Sequence, residues 1–293
     1  MNVEELKTRI RTGALSRISQ SLEKVIRPAI RVVATPRDEH PLGSARLGGL
    51  PDLPRGSQWP RVDGIPLMFA GQFELSDLAT YEAASSLPKV GRLAFFFDGM
   101  LTGYEQGKTL DRCRVLYFDD PTDTLVRLDP PKDVAPQFQT FSSSAVAFDE
   151  VATLPAFEEI DGDEFPTIPA IEPIIDDFDD QETYRELRSE IVDHSTRLLG
   201  HPDEVQGGEL RFSTITKRDG GQRFRYDDEE YEWTNEDLLR REMADLNLLF
   251  QSASEGRPNG INWGGGGVVY FWISREELEA GKFDAAFATL ETT

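Results

Sequence analysis

The sequence predicts an α+β protein of two related halves, with antiparallel or mixed β-sheets, peripheral helices and an amphipathic N-terminal helix. Three observations support this fold class. Strand-like apolar runs follow one another between residues 92 and 148 without helical segments between them, which favours antiparallel or mixed pairing. The N-terminal segment shows helical spacing of its apolar side chains. Short motifs of the first half return in the same order in the second half, as in a duplicated unit.

The N-terminal element is a predicted amphipathic helix over residues 3–27, in a segment (residues 1–28) that Pro28 ends. Basic side chains lie mostly off its apolar stripe, and the stripe lacks a Trp or Phe that would anchor it in a lipid interface. We therefore expect this helix to pack on the body of the protein. The stripe consists of Val3, Leu6, Ile10, Ala14, Ile18, Leu22 and Val25.

The first half, residues 29–154, is predicted to be mostly β-structure. A Gly/Pro-rich loop over 41–66 separates its first two strands, and Ser76 is the expected N-cap of a helix over 77–84. The predicted strands are β-branched and aromatic runs bounded by Gly, Pro and Asp, and they cover 29–34, 66–73, 92–97, 114–118, 123–128 and 138–148.

An acidic, proline-rich connector over 155–180 is predicted to join the halves, and the second half covers 181–293. Its segments 210–216 and 222–226 are expected to pair as a β-hairpin around Asp219-Gly220-Gly221. The remaining predicted elements are helices over 180–199, 234–245 and 274–281, and strands over 246–252 and 268–273.

Three pairs of motifs support the internal repeat, and they occur in the same order in both halves. Residues 49–52, 67–72 and 91–97 match residues 200–203, 247–251 and 267–273. Pseudo-twofold halves commonly leave a cleft between them, where ligands bind. A duplicated unit would also place Gln72 and Gln251, which end two otherwise apolar strands, in equivalent positions.

These glutamines admit two interpretations. A buried amide without hydrogen bonds costs about 1–3 kcal/mol. Gln72 and Gln251 therefore either hold the backbone of a neighbouring loop or contact a ligand, one from each half. Trp59 and Trp263 stand in the adjoining loops, and they either cover the core or form the walls of a pocket.

The net charge of −22 results from 31 basic and 53 acidic residues. A field of this sign disfavours nucleic acid and anionic membranes and favours a basic protein partner. Residues 149–193 contain 2 basic and 16 acidic residues, whereas residues 1–37 contain 8 basic and 3 acidic ones. The acidic block is either a solvated linker or a docking surface for a basic protein.

The single cysteine, Cys113, excludes an internal disulfide framework and fits a reducing compartment. The sequence shows no N-terminal apolar run typical of a signal peptide and no uncharged apolar window of about 18 residues. It therefore predicts a cytoplasmic protein that does not enter a membrane. We expect a monomer or weak oligomer without cofactors.

No catalytic or metal-binding constellation is evident, so the chain is expected to be noncatalytic, with no catalytic residues and no metal ligands. Residues 103–109 resemble a P-loop, but Thr102 replaces its first glycine and too few residues follow Thr109 for the helix that a P-loop opens. Residues 264–267 are four glycines that precede a predicted strand, not the helix of a dinucleotide site. The 3 histidines are scattered and there is no second cysteine, so no zinc site is predicted.

Taken together, the repeated motifs resemble the YwqG-like bacterial family of unknown function over residues 45–290. The resemblance rests on residues 47–54, Trp59-Pro60, 70–72, 87–93, 199–206, 248–251 and 262–273. Gly265 stands where the family pattern has an aspartate, so any role of that carboxylate is absent or moved. The resemblance implies a cytoplasmic bacterial α+β protein without an established activity. Some relatives are associated with toxin–immunity systems, which implies a protein-binding role.

We therefore expect a noncatalytic protein-binding module, in one form an immunity-like protein, whose acidic surface binds a basic partner. The alternative is a small-molecule-binding or enzymatic protein with a site in the cleft between the two halves. The candidate ligand contacts for this alternative are Trp59, Gln72, His201, Gln206, Gln251 and Trp263.

Overall fold

A computed structural model describes residues 1–99, 112–135, 138–161, 177–208, 210–218, 223–227, 232–255 and 260–292. Within these ranges, helices α1 to α8 are Val3–Thr12, Ser19–Val25, Leu75–Leu78, Phe157–Asp161, Phe178–Ile191, Leu210–Lys217, Glu236–Asp245 and Arg275–Glu279. Strands β1 to β8 are Arg27–Pro36, Arg46–Leu47, Asp52–Pro54, Arg61–Val62, Ile65–Pro66, Met68–Glu74, Arg92–Phe97 and Cys113–Phe118. Strands β9 to β16 are Leu125–Arg127, Ser144–Thr153, Arg197–Leu198, Tyr226–Asp227, Glu232–Trp233, Leu246–Ala253, Val268–Ser274 and Phe287–Glu291.

The architecture is α+β and centres on one antiparallel sheet of 10 strands in the order β16-β15-β14-β11-β1-β10-β2-β6-β7-β8. Strands β1 and β10 form the central pair, which is hydrogen-bonded from Arg27–Thr153 to Pro36–Ser144. Outward from this pair, each side has a two-residue strand (β2 or β11), then a long hairpin (β6–β7 or β14–β15), then an edge strand (β8 or β16). The order of strand types is therefore the same when read from either end.

The two long hairpins pack against each other through phenylalanine side chains. Phe250 of β14 lies with its ring centre 4.6 Å from that of Phe95 on β7 and 5.1 Å from that of Phe73 on β6. Phe271 of β15 lies 5.1 Å from Phe95. Because these strands stand near opposite ends of the strand order, the sheet curls on itself, and apolar rings fill the space between the hairpins.

The N-terminal segment differs from the single helix predicted over residues 3–27. Helix α1 ends where Gly13 takes an extended conformation, and a 3₁₀ turn over Ala14–Ile18 then leads into α2. The buried side of this segment includes Leu6 and Leu22 and packs in one cluster with Tyr184 of α5. The extended glycine re-aims the chain so that two short helices, instead of one long one, lie over the protein.

The four strands of the two long hairpins were predicted within one or two residues of their bounds. The prediction of a strand over 210–216 was wrong, because this segment is helix α6. Its buried residues Leu210, Arg211, Thr214 and Ile215 recur at helical spacing. The expected hairpin is also absent from the described residues: Tyr226–Asp227 pairs with Glu232–Trp233 instead. The predicted turn over 219–221 and most of the connector, residues 162–176, lie outside the described residues.

Other bounds moved where the predicted elements met tertiary partners. The helix predicted over 180–199 is α5, which ends at Ile191, and residues 197–198 form β11. The strand predicted over 138–148 is β10, which runs from Ser144 to Thr153 because it follows the full length of β1. Strand β1 lies in the predicted first half but pairs with β11 of the second. The domain boundaries at residues 28, 154 and 180 remain predictions.

We predict that Leu22→Ala lowers the free energy of unfolding by about 2–5 kcal/mol, because it leaves a cavity in the cluster below the N-terminal segment. Urea unfolding followed by circular dichroism measures this change. Lys24→Ala, at an exposed position of the same helix, is the control and should stay within about 0.5 kcal/mol of the parent. Equal effects of both substitutions would show that the segment does not contribute its buried face to stability.

Candidate functional site

A buried cluster of Arg46, Asp52 and Gln72, the first clamp, holds the loop between β2 and β3. Arg46 Nη2 lies 2.7 Å from Asp52 Oδ2 and donates to the carbonyl oxygen of Leu50 at 2.7 Å. Gln72 lies opposite Arg46 in the sheet. Its Oε1 accepts the N–H of Asp52 at 2.9 Å, and its Nε2 donates to the carbonyl oxygen of Ser44 at 3.0 Å. Both ends of the glutamine amide are therefore used inside the protein.

A second clamp of Arg197, Asp203 and Gln251 repeats this arrangement on the loop after β11. Arg197 Nη2 lies 2.5 Å from Asp203 Oδ1 and donates to the carbonyl oxygen of His201 at 2.7 Å. Gln251 lies opposite Arg197 in the sheet. Its Oε1 accepts the N–H of Asp203 at 3.0 Å, and its Nε2 donates to the carbonyl oxygen of Ser195 at 2.9 Å. We call residues 43–54 the first loop and residues 194–205 the second loop.

Each loop passes close to one of the two central strands. Gly49 and Gly200 have φ angles of 70° and 77°, in the left-handed region. A Cβ added to Gly49 would lie 2.6 Å from Ser143 Oγ, next to β10, and one added to Gly200 would lie 2.6 Å from the Cβ of Ala29 on β1. A side chain at either glycine would therefore push the loop off the sheet.

Burial alone would raise the pKa of Asp52, but the hydrogen bonds and charges of Arg127 and Arg46 outweigh it and hold this pKa below its ordinary value. Arg127 donates to Asp52 from Nε at 2.9 Å. The pKa of Arg46 is lowered by burial, a shift that Asp52 opposes. The first clamp therefore contains an ionised aspartate between two arginines.

At three positions the second loop has a titratable side chain and the first loop does not. The corresponding residues of the first and second loops are Gly43 and His194, Leu50 and His201, and Leu53 and Glu204. At the first of these positions the backbone makes the same hydrogen bond in both loops. The N–H of Gly43 donates to Asp52 at 2.8 Å, and the N–H of His194 donates to Asp203 at 3.0 Å. The second loop therefore has titratable side chains where the first has hydrogen or leucine side chains.

An open groove of about 430 Å³ lies between α4, α5 and the second loop. We call it the α4–α5 groove, and its charged and aromatic lining includes Phe157, Glu158, Arg185, Arg188, His194 and Glu204. Arg185 is exposed, and its guanidinium carbon lies 3.9 Å from the ring centre of Phe157. The groove lining thus contains two carboxyl groups and two guanidinium groups, of which those of Glu158 and Arg185 are exposed.

Two buried ion pairs lie at and below the floor of this groove. Arg188 of α5 binds Glu204 through Oε2, and Arg211 of α6 binds Glu159 of α4. Among the described residues, Glu204 Oε1 and Arg211 Nη2 have no hydrogen-bond partner. The same holds for Nδ1 of His201, whose Nε2 lies 2.8 Å from the carbonyl oxygen of Val25. The region below the second loop therefore contains both donors and acceptors without partners.

Burial shifts the pKa values of this region toward the neutral forms. It raises the pKa of Glu204 from 4.5 to about 7, against the attraction of Arg188. It also lowers the pKa of His201 well below its ordinary value, with the charges of Arg27 and Arg211 acting in the same direction. Burial and the charge of Arg211 lower the pKa of Arg27 to about 10.

The six candidate ligand contacts from the sequence do not meet in one open cavity. Gln72 and Gln251 belong to the two clamps, His201 is a residue of the second loop with 0% exposure, and Gln206 is exposed and donates to the carbonyl oxygen of Thr292. The two tryptophans are in separate clusters. Trp59 packs on Phe96 and Phe138 and donates to the carbonyl oxygen of Leu67, and Trp263 packs on Phe97 and Phe141 and donates to Ser252 Oγ.

Sequence reasoning missed the clamp arginines and the groove. The signal for the arginines was present, because Arg-Leu precedes each matched Gly-x-Pro-Asp motif at the same spacing. The groove had no such signal. Its residues Phe157, Arg185 and Glu204 are far apart in the sequence and converge only through the packing of α4, α5 and the second loop.

The sequence also raised the questions of a nucleotide site, a metal site and a membrane span. The P-loop-like segment 103–109 lies outside the described residues. In the part of the chain that the structure describes, no three His, Cys, Asp or Glu side chains are grouped to hold a metal ion. None of the described helices has the length and apolar character needed to cross a membrane.

The chain belongs to the family described as domain of unknown function DUF1963, whose family model matches residues 45–291. The matched range begins beside Arg46 and ends at the last residue of β16, so it contains both clamps. It leaves out α1, α2 and β1. Among proteins with a curated description, none matches this chain.

We predict that Gln72→Met and Gln251→Met each lower the free energy of unfolding by about 1–3 kcal/mol, because each removes the partner of a buried aspartate N–H and a hydrogen bond to a half-buried serine carbonyl oxygen. Urea unfolding measures both changes. Gln20→Met, at an exposed position of α2, is the matched control and should have little effect. A loss below about 0.5 kcal/mol for either buried glutamine would contradict its role in the clamp.

We also predict a pH-dependent effect of Glu204→Gln. The folded carboxyl keeps its proton between pH 4.5 and about 7, where the unfolded carboxyl is ionised, so its contribution to stability decreases as the pH rises through this window. The substitution removes this contribution. The stability of the variant relative to the parent should therefore increase between pH 5 and pH 8, by on the order of 1–3 kcal/mol.

Urea unfolding of parent and variant at matched pH values tests this expectation. Groups that do not interact with Glu204 have the same pH dependence in both proteins, and their contributions cancel in the difference. A stability difference that stays constant between pH 5 and pH 8 would show that the pKa of Glu204 is not raised.

Proposed function

We propose that this protein is a noncatalytic binding module whose acidic surface docks a basic protein partner. Its charge imbalance is the main support. The chain has 31 basic and 53 acidic residues, so pairing every Lys and Arg with a carboxylate would still leave 22 carboxylates uncompensated. Such a field speeds the association of a positively charged partner and repels polyanions. In the immunity-like form of this proposal, the partner is a basic toxin.

The arrangement of charges around α5 supports a location for this docking. The basic N-terminal segment neutralises part of the charge of α5 and its N-cap, because Arg9 pairs with Glu190 and Arg17 pairs with Asp177. Glu182 and Glu186 are also exposed on α5, and no described residue forms an ion pair with them. The acidic block of residues 149–193 therefore retains exposed carboxylates, beside which a basic partner would be attracted.

We further propose that the chain arose by duplication of one unit and that it is a YwqG-like, cytoplasmic protein. The equivalent strand order on both sides of the central pair, the two clamps and the three matched motifs support duplication. The family match supports the YwqG-like resemblance in one respect, because both describe a domain of unknown function.

We predict that the immobilised protein captures a basic partner from lysate at about 50 mM salt and releases it at about 500 mM, because screening weakens exposed charge pairs. Glu182→Gln with Glu186→Gln should weaken capture. Glu276→Gln with Glu279→Gln, exposed on α8, makes the same charge change elsewhere and is the matched control. Capture that resists salt, or that both double variants weaken equally, would contradict docking on the acidic block.

The second candidate function is small-molecule binding. The cleft site expected at Gln72 and Gln251 loses support, because the oxygen and the nitrogen of each amide are hydrogen-bonded within the clamps and apolar rings fill the space between the hairpins. The observation that favours this function is the α4–α5 groove, where a buried carboxylate oxygen has no partner among the described residues.

A further inference from the structure

We propose that the α4–α5 groove binds a small zwitterion, a molecule that carries both a primary ammonium group and a carboxylate. This inference goes beyond the docking of a basic partner. It rests on the second candidate function and gives that function a site and a ligand class.

The ammonium position is indicated by Glu204. The Glu204 side chain is 2% exposed and lines the groove, and its Oε2 is occupied by Arg188. Its Oε1 has no hydrogen-bond partner in the described part of the chain. A buried carboxylate oxygen without a partner is costly, and an ammonium group would supply it with a charge-assisted hydrogen bond.

The carboxylate position is indicated by Arg185 at the rim. Its guanidinium stacks on the Phe157 ring, which restricts its orientation and leaves its edge N–H groups available. No described residue forms a hydrogen bond or ion pair with this guanidinium. A planar guanidinium held in this way suits bidentate recognition of a carboxylate.

The balance of charges selects a zwitterion over a simple ion. Glu158 and Glu204 face the groove together with Arg185 and Arg188, so the lining has no net charge when all four are ionised, which for Glu204 requires a pH above about 7. A ligand with only a positive or only a negative charge would be attracted by the two side chains of opposite charge and repelled by the two of like charge. A zwitterion complements both pairs. The volume, about 430 Å³, lies within the range of about 300–1,000 Å³ usual for small-molecule sites.

The comparison of the two loops supports a function for these charges. The first loop forms the corresponding clamp hydrogen bonds with Leu53 at the position where the second loop has Glu204. Replacement of a buried ion pair by apolar side chains is often neutral or stabilising. Glu204 is therefore not required by the loop conformation, and ligand binding explains its presence.

Isothermal titration of the full chain tests the proposal with the free L-amino acids and with glycyl dipeptides as probes. We expect at least one probe to bind, and its N-acetylated and carboxamide forms to bind at least about tenfold weaker, because each lacks one charge. Arg185→Met should abolish binding of that probe. Arg218→Met is the matched control, since Arg218 stacks on Phe287 at 4.2 Å and does not line the groove, and it should bind like the parent.

Three results would overturn the proposal: no probe binds at concentrations up to about 10 mM, the blocked forms bind as tightly as the free zwitterion, or Arg185→Met binds like the parent. Arg185 is exposed, so its variant should fold even if Glu204→Gln does not. Loss of zwitterion binding leaves capture of a basic partner unaffected, and so the two proposals fail separately. If the probes fail but groove variants still lower thermal stability, the region has only a structural role.

Discussion

The buried arginine–aspartate pairs of the two clamps hold together a sheet that its hydrogen bonds alone would support poorly. Strands β2 and β11 are only two residues long, yet they connect the central pair to the two long hairpins. Strands so short are marginal by themselves. Each clamp adds an ion pair, a hydrogen bond from arginine to a loop carbonyl oxygen, one hydrogen bond that glutamine donates and one that it accepts, all in the same short stretch. The continuity of the sheet across its centre therefore depends on these polar groups.

A buried ion pair is favourable only when its remaining donors and acceptors are satisfied. The first clamp meets this condition through Arg127 and the N–H of Gly43, both of which donate to Asp52. The second clamp has the corresponding N–H from His194. Among the described residues, however, atoms without partners begin within the second clamp, at Nε of Arg197, and the polar region continues to His201 and Glu204, which have further such atoms. Similar loops thus stand beside leucine side chains at the first clamp and beside titratable side chains at the second.

Charge is also distributed unevenly along the chain. The N-terminal segment is basic and packs beside α5, which belongs to the most acidic part of the sequence. Ion pairs on the surface contribute little to stability individually. Their effect here is to cancel part of a large negative field near α5, whose Glu182 and Glu186 are exposed and have no ion-pair partner among the described residues.

Sequence reasoning predicted the parts of the fold that are recorded in local patterns. The strands of both long hairpins follow from runs of apolar, β-branched and aromatic residues, and the matched motifs indicate where equivalent positions stand in the sheet. The pattern failed at residues 210–216, where a short run rich in Thr and Ile favours a strand but the packing of Leu210 and Ile215 favours a helix. Short segments carry too few turns for periodicity to distinguish these cases.

By itself, the sequence determined the composition, the charge imbalance, the α+β class and the pairing of Gln72 with Gln251 as a repeated feature. Only the tertiary structure decided what those glutamines do, because a hydrogen bond depends on which backbone groups come within about 3 Å, and these belong to distant loops. The same holds for the α4–α5 groove. The partner of a charged side chain is set by contacts between segments far apart in the chain, so the unpartnered oxygen of Glu204 is visible only once those segments have packed.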